Sequence, residues 1–131
     1  MSDRGTVLPI LALLLVGGAL AVALTVEVGR IGAAWREASF AADAGAAAGA
    51  ATLDPTEADR GALRLAPGPA EQAAVAAALA ARPRDGRSAS ASADGEQVCV
   101  IVHQPFPPGL LGTVVTGRLI TASACARPGQ G

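Results

Sequence analysis

The chain contains no lysine and no tyrosine, and its aromatic residues are limited to Trp35, Phe40 and Phe106. Its 10 arginines are balanced by 11 acidic residues, which gives a formal net charge of −1 and no basic field to attract nucleic acid. So few aromatic rings leave little surface on which bases or sugars could stack. The composition therefore argues against a nucleic-acid-binding protein.

The residue patterns of a catalytic or metal-binding protein are also missing from the sequence. His103 is the only histidine, and its place just before Pro105 favours a structural role over that of a general base. A metal site would have to combine His103 with Cys99, Cys125 and a further ligand, without any CxxC or HxxxH spacing. We therefore expect no catalytic residue, no cofactor, no metal ion and no small-molecule substrate.

Charge is absent from one long stretch near the N-terminus, from Gly5 to Val26, about 22 residues. As a helix this stretch would span about 33 Å, enough for the hydrocarbon core of a bilayer. It is longer than the apolar core of a secretory signal, about 7–15 residues. We predict an uncleaved transmembrane helix at 6–26 behind a cytoplasmic head at 1–5. The alternative is cleavage near Ala21, which would release a small secreted binding or adhesin-like domain.

Charge does not set the orientation of this span, because Arg4 precedes it while Arg30 and Arg36 follow it. The short head contains little that would need export, whereas the tail carries both cysteines and all of the foldable sequence. We therefore predict a single-pass cell-membrane protein with a cytoplasmic N-terminus and an extracytoplasmic C-terminal domain. Arg30, Trp35 and Arg36 are predicted to act as interfacial anchors.

The helix should continue beyond the membrane, because no proline occurs between Ile10 and Asp54. We predict an Ala-rich extension over 27–53 in which small residues recur at helical spacing. Such stripes let two helices approach closely, which makes this one a candidate contact in a homo- or hetero-oligomer. The alternative is an Ala-rich helix that reflects composition alone. The candidate helix–helix interface consists of Ala34, Ala38, Ala42, Gly45 and Gly49.

Segment 54–86 reads as helical. Asp54 followed by Pro55 is typical of a helix start, and this short helix is predicted to run to about Leu65. Residues 67–69 (Pro-Gly-Pro) interrupt it, and a further helix is predicted over 69–81.

Segment 87–127 reads as a small antiparallel sheet of about three strands. Residues 88–93 alternate serine and alanine, and Asp94-Gly95 favours a two-residue type I′ hairpin turn before a Val-rich strand at 96–102. A Pro-rich loop follows, and a last strand is predicted at 117–126. Taken alone, the Ser/Ala segment could instead be a flexible linker. The predicted fold class is α+β, ending in a tail at 128–131.

Two cysteines, Cys99 and Cys125, fall within this predicted sheet. A cysteine pair in a small domain beyond a membrane segment fits an oxidising compartment, where a disulfide would support a thin core. If the last strand pairs antiparallel with 98–102, the two residues can lie opposite one another. The alternative is two buried free thiols.

The N-terminal part of the chain, about fifty residues, resembles a known family. Asp3–Pro9 followed by the apolar span, then Val28–Arg30 and the small-residue run Ala41–Ala51, are similar to TadE/TadG-like proteins of the Flp (tight adherence) pilus assembly system. The tail is similar to that of short TadE-like proteins of actinobacteria. The resemblance implies a membrane-anchored component whose partners are other pilus or secretion-system proteins.

Two departures narrow what the resemblance implies. TadE-type pseudopilins carry a glutamate five residues after a glycine, as the signal for prepilin peptidase, but Ile10 stands five residues after Gly5. TadG-type members carry a much longer extracytoplasmic domain. We therefore expect an uncleaved structural or assembly accessory, not a polymerised pilin and not an enzyme.

Overall fold

A single helix, α1 (Arg4–Ala50), forms the first 47 residues that this computed structural model describes. The structure describes residues 4–110 and 118–129, so the first three residues of the predicted head and the last two of the tail lie outside it. At 1.5 Å per residue, α1 is about 70 Å long. The predicted continuation of the membrane helix into an Ala-rich stalk is confirmed.

Helix α2 (Pro55–Ala58) is much shorter than predicted. Its start is as expected, because the Asp54 side chain accepts a hydrogen bond of 2.9 Å from the backbone N–H of Thr56. The predicted extension to Leu65 is wrong. Gly61 has a φ of +82°, which ends the helical path, and Leu65 instead forms an isolated antiparallel bridge with Leu53.

Helix α3 (Pro67–Ala80) begins two residues before the predicted start at residue 69. The Pro-Gly-Pro segment is the first turn of the helix and not an interruption before it. The first backbone N–H groups of a helix have no acceptor within it, so prolines at positions 67 and 69 remove no helical hydrogen bond. The helix ends before Pro83, as predicted.

Strands β1 (Ser88–Ala93), β2 (Val98–Pro105) and β3 (Leu119–Ala126) form one antiparallel sheet in the order β1-β2-β3. The α+β prediction is thus confirmed, and Gly117, the predicted first residue of the last strand, lies outside the described residues. The β1–β2 turn is not the predicted type I′, which needs positive φ at both central residues. Gly95 has a φ of +87°, but Asp94 does not share it.

One face of the sheet packs against α1 and α3 and forms a core. The unit that follows Val26 and contains this core is called the head from here on, and it is distinct from the predicted cytoplasmic segment at 1–5. Alternate residues of β2 point inward, which fits the pleat of a strand with one covered face. The helices contribute almost only alanine and glycine to this contact, so their backbones lie close to the sheet. The buried apolar residues are Ala34, Ala38, Ala41, Ala42, Ala46, Leu65, Ala70, Ala74, Ala78, Val98, Val100, Val102, Ile120 and Ala122.

Candidate functional site

The N-terminal half of α1 exposes an unbroken apolar surface. In the part of the chain that the structure describes, no side chain from Val7 to Val26 is buried. Leu8 and Leu13 are more than 70% exposed, and the valines of this stretch are more than half exposed. This part of α1 is long and apolar enough to cross a membrane.

Glu27 marks the boundary between this exposed stretch and the head. Although it directly follows the apolar run, its side chain is buried, with 6% of the residue exposed. The loop after β2 closes over it: a Cβ atom at Gly109 would overlap with the Glu27 carboxylate. Arg30 joins the same contact, since its Nη2 donates a 2.6 Å hydrogen bond to the carbonyl of Pro108 and its Nη1 lies 3.8 Å from Glu27 Oε2.

The three predicted interfacial anchors all lie exposed on α1 within three turns of the apolar run. Trp35 is 56% exposed, and Arg30 and Arg36 are exposed as well. Trp35 lines an apolar groove of about 630 Å³ between α1 and the sheet. Contact with a membrane stays a prediction. The remaining residues that line the groove are Val28, Ile31, Gly32, Phe106, Ile120 and Thr121.

The small-residue stripe of α1 packs within the chain. Ala34, Ala38 and Ala42 are buried in the core of the head. A Cβ at Gly45 would lie 2.7 Å from the carbonyl oxygen of Ala74, and one at Gly49 would lie 3.0 Å from that of Ala70. At Gly45 and Gly49 the stripe is therefore a helix–helix contact with α3, and at the same two positions it also contacts β2. We predicted it as a surface for a partner molecule, but its own chain fills it.

Sequence reasoning missed a buried polar network centred on Arg87. Its side chain is 1% exposed. It joins three parts of the chain, because the guanidinium reaches β2, α1 and the end of α3. Its hydrogen bonds run from Nε and Nη2 to Gln104 Oε1 (3.1 and 2.6 Å), from Nη2 to Glu37 Oε1 (3.1 Å), and from Nη1 to the carbonyls of Ala81 (2.7 Å) and Arg82 (2.8 Å).

The outer side of this network reaches the surface. Arg84 Nη2 lies 3.2 Å from Glu37 Oε2, so the Glu37 carboxylate bridges two arginines. Gln104 Nε2 lies 3.5 Å from the carbonyl of Ala34. Gln104 could have been noticed in the sequence, because it continues the inward-facing alternation of Val98, Val100 and Val102 and would need a buried partner there.

The outer face of the sheet carries the remaining predicted residues. Cys99 and Cys125 face each other across β2 and β3 and form a disulfide, as predicted. His103 lies opposite Thr121, with 3.1 Å between His103 Nδ1 and Thr121 Oγ1. Among the described residues, no group of three or more His, Cys, Asp or Glu is placed to hold a metal ion.

Comparison with known proteins adds no relative. No family model, curated protein or solved structure matches the chain. The function must therefore be argued from the exposed apolar helix and the head that is built on its continuation.

Proposed function

We propose that this chain is a membrane-anchored structural or assembly component of a Flp (Tad) type pilus or a related secretion system. One observation carries the proposal. The exposed apolar part of α1 continues without a break into the part of the same helix on which the head is built. Any force or displacement along the anchor is therefore passed directly to the head, because no flexible linker separates the two.

The assignment to a pilus system is supported by the residues that resemble TadE/TadG-like proteins, Asp3–Pro9 and the run Ala41–Ala51. The proposed orientation has the N-terminus in the cytoplasm and the head outside. The disulfide in the head supports a location outside the cytoplasm, because disulfides persist in oxidising compartments. The partners proposed are other pilus or secretion-system proteins, and the role is structural and not catalytic.

Two experiments on the native organism test this proposal. Deleting the gene should abolish surface pili seen by electron microscopy, and a plasmid copy should restore them. Normal piliation without the gene would refute the pilus role. Protease added to spheroplasts should remove the head, whereas a protected head would refute the proposed orientation.

A secreted small domain is the second candidate, and one observation favours it. Cleavage near Ala21 would leave the whole core intact, because the first buried apolar residue of the head is Ala34. It would also leave Val22, Leu24 and Val26 exposed at the new N-terminus. The intact mass of the mature protein decides between the two: the loss of about 21 residues establishes secretion, and the full-length mass establishes the anchor.

A further inference from the structure

We propose that the membrane-facing end of the head binds the lipid surface, so that the head lies on the bilayer instead of standing clear of it. The contact surface, here called the lipid-facing patch, consists of Val28, Ile31, Trp35, Phe106, Leu110 and Leu119. This inference rests on the membrane anchor of the proposed function. It adds that lipid, and not a protein, covers the groove beside Trp35.

Helical periodicity makes the patch a continuation of the span. Val28, Ile31, Gly32 and Trp35 follow the spacing i, i+3, i+4 and i+7, so they share one face of α1. Leu24 and Ala21 precede them on the same face, and Glu27, which stands between Leu24 and Val28 in the sequence, lies about 100° from Val28 around the helix. The apolar face that would contact lipid tails therefore runs on into the groove.

Along the helix axis, Val28 lies within the headgroup zone, Ile31 lies at its outer edge, and the backbone of Trp35 lies beyond it. At 1.5 Å per residue, Val28 lies about 3 Å beyond Val26, and Ile31 lies about 8 Å beyond it. The headgroup region adds about 5–7 Å on each side of the hydrocarbon core. The Cα of Trp35 is farther out, at about 13 Å, but helical side chains lean towards the N-terminus, which for α1 is the membrane side.

Further exposed apolar residues lie near this end of the head, where Gly109 meets Glu27 and Leu119 pairs with Pro105 at the end of β2. The loop after β2 begins with Phe106, which lines the groove, and continues to Leu110, which is 68% exposed. Leu119, at the start of β3, is 56% exposed. These side chains would be costly to leave in water, and a lipid surface would cover them.

Charge at this end of the head is arranged in a way that fits lipid. The acidic residue of α1 at the boundary, Glu27, is covered by the same loop through the close approach of Gly109, whereas the exposed Asp85 lines a cavity with the cation Arg30. The nearest exposed charges on α1 are the cations Arg30 and Arg36, which are favourable beside lipid phosphates. A protein partner would not require the acidic group to be hidden, whereas low-dielectric lipid would.

Trp35 is the only tryptophan of the chain, so its fluorescence tests the inference directly. The full chain is reconstituted into phosphatidylcholine nanodiscs that contain a nitroxide-labelled lipid. The label is placed either close to the headgroup or near the methyl end of the acyl chain. We expect blue-shifted Trp35 emission, with at least twofold stronger quenching by the shallow label than by the deep one.

A double variant, Trp35→Phe with Phe40→Trp, is the matched control. Phe40 is 57% exposed, lies about 8 Å farther along the axis, and has the Arg82 guanidinium 5.9 Å from its ring centre. The tryptophan at position 40 of this variant should be quenched by neither label. Leu119→Glu should weaken the quenching of Trp35, whereas Leu63→Glu, a similarly exposed site outside the patch, should not.

Three results would overturn the inference. Unquenched, red-shifted emission in a protein that resists carbonate extraction would show a head that stands clear of the bilayer. Blue-shifted emission that no lipid label quenches, and that depends on the number of chains per disc, would place a second copy in the groove. A chain that carbonate extracts from the bilayer would refute the proposed anchor together with this inference.

Discussion

Glycine at positions 45 and 49 sets how closely α1 and α3 can approach. A Cβ at Gly45 would lie 2.7 Å from the carbonyl oxygen of Ala74 and 2.9 Å from the Cβ of Ala78. Glycine costs helix stability, about 1 kcal/mol relative to alanine, so its presence here needs a packing reason. Close contact between backbones is that reason.

Gly45→Ala should destabilise the head by about 1–3 kcal/mol, because the added methyl group overpacks the α1–α3 contact. Gly32→Ala is the matched control, since nothing lies within 4 Å of its Cβ position. We expect it to be neutral or to stabilise by up to about 1 kcal/mol. Thermal unfolding followed by circular dichroism in detergent measures both. Equal melting temperatures for the two variants would contradict the packing role of Gly45.

Arg87→Met should cost about 1–3 kcal/mol, because it leaves the buried Gln104 Oε1 without its donor, while Glu37 keeps its ion pair with Arg84. Arg60→Met is the control. Arg60 forms a comparable 2.8 Å ion pair with Glu57, but that pair is exposed to solvent and its loss should cost about 0–1 kcal/mol. Denaturant unfolding should separate the two variants. Similar midpoints would mean that the network adds no stability.

Two local features stabilise the sheet. The first is the β1–β2 turn, in which Asp94 Oδ1 accepts hydrogen bonds from the backbone N–H groups of Glu96 (3.0 Å) and Gln97 (2.9 Å). Both bonds hold the pKa of the Asp94 carboxyl below its ordinary value, and the bond from Gln97 has the larger effect. The second is the disulfide that joins β2 to β3.

The Asp94 turn should contribute a pH-dependent part of the stability. Because the pKa of the carboxyl is lower in the folded chain than in the unfolded one, this contribution is present above the unfolded pKa. It is lost as the pH falls through the folded pKa. Asp94→Asn should lower the melting temperature slightly at pH 7, and the difference from the unmodified chain should vanish at low pH. A difference that stays constant would contradict this assignment.

Removal of the disulfide should cost about 3.5 kcal/mol on the chain-entropy model, because the bond closes a loop with a sequence separation of 26. The double variant Cys99→Ser/Cys125→Ser should therefore melt at a lower temperature. Dithiothreitol should lower the melting temperature of the unmodified protein to that of the variant and leave the variant unchanged. A reductant effect on the variant would show that the reagent acts elsewhere.

Among the described residues, the molecule divides at Glu27 into an apolar helical segment without a buried side chain and a head with its own core. Every buried apolar residue in this part of the chain lies at position 34 or later. The disulfide and the Arg87 network likewise lie wholly within the head. The head should therefore fold without the span, and the span alone should hold the protein in a membrane.

A chain that lacks residues 1–26 should keep the disulfide and cooperative unfolding, with a melting temperature within a few degrees of that of the full chain in detergent. It should also leave the pelleted membrane fraction under carbonate extraction. Circular dichroism and fractionation measure these properties. A truncated chain that fails to unfold cooperatively would show that the span contributes to the fold of the head.

Features that depend on neighbouring residues could be predicted from the sequence. Local periodicity and backbone preference predicted the long helix through the apolar run, the Asp54 cap and the Val-rich strand. The structure contains all three. The extent of α2 and the turn type at Asp94 could not, because burial of Leu65 and side-chain capping override local preference there.

The sequence by itself determined an apolar N-terminal helix, its continuation as an Ala-rich helix, and a small α+β head with a cysteine pair. Only the tertiary structure decided that the small-residue stripe is filled by α3, that Glu27 is covered by the loop at Gly109, and that Glu37, Arg87 and Gln104 meet. The physical reason is sequence distance. Periodicity and capping act within a few residues, whereas these contacts join segments that only the docking of α1, α3 and the sheet brings together.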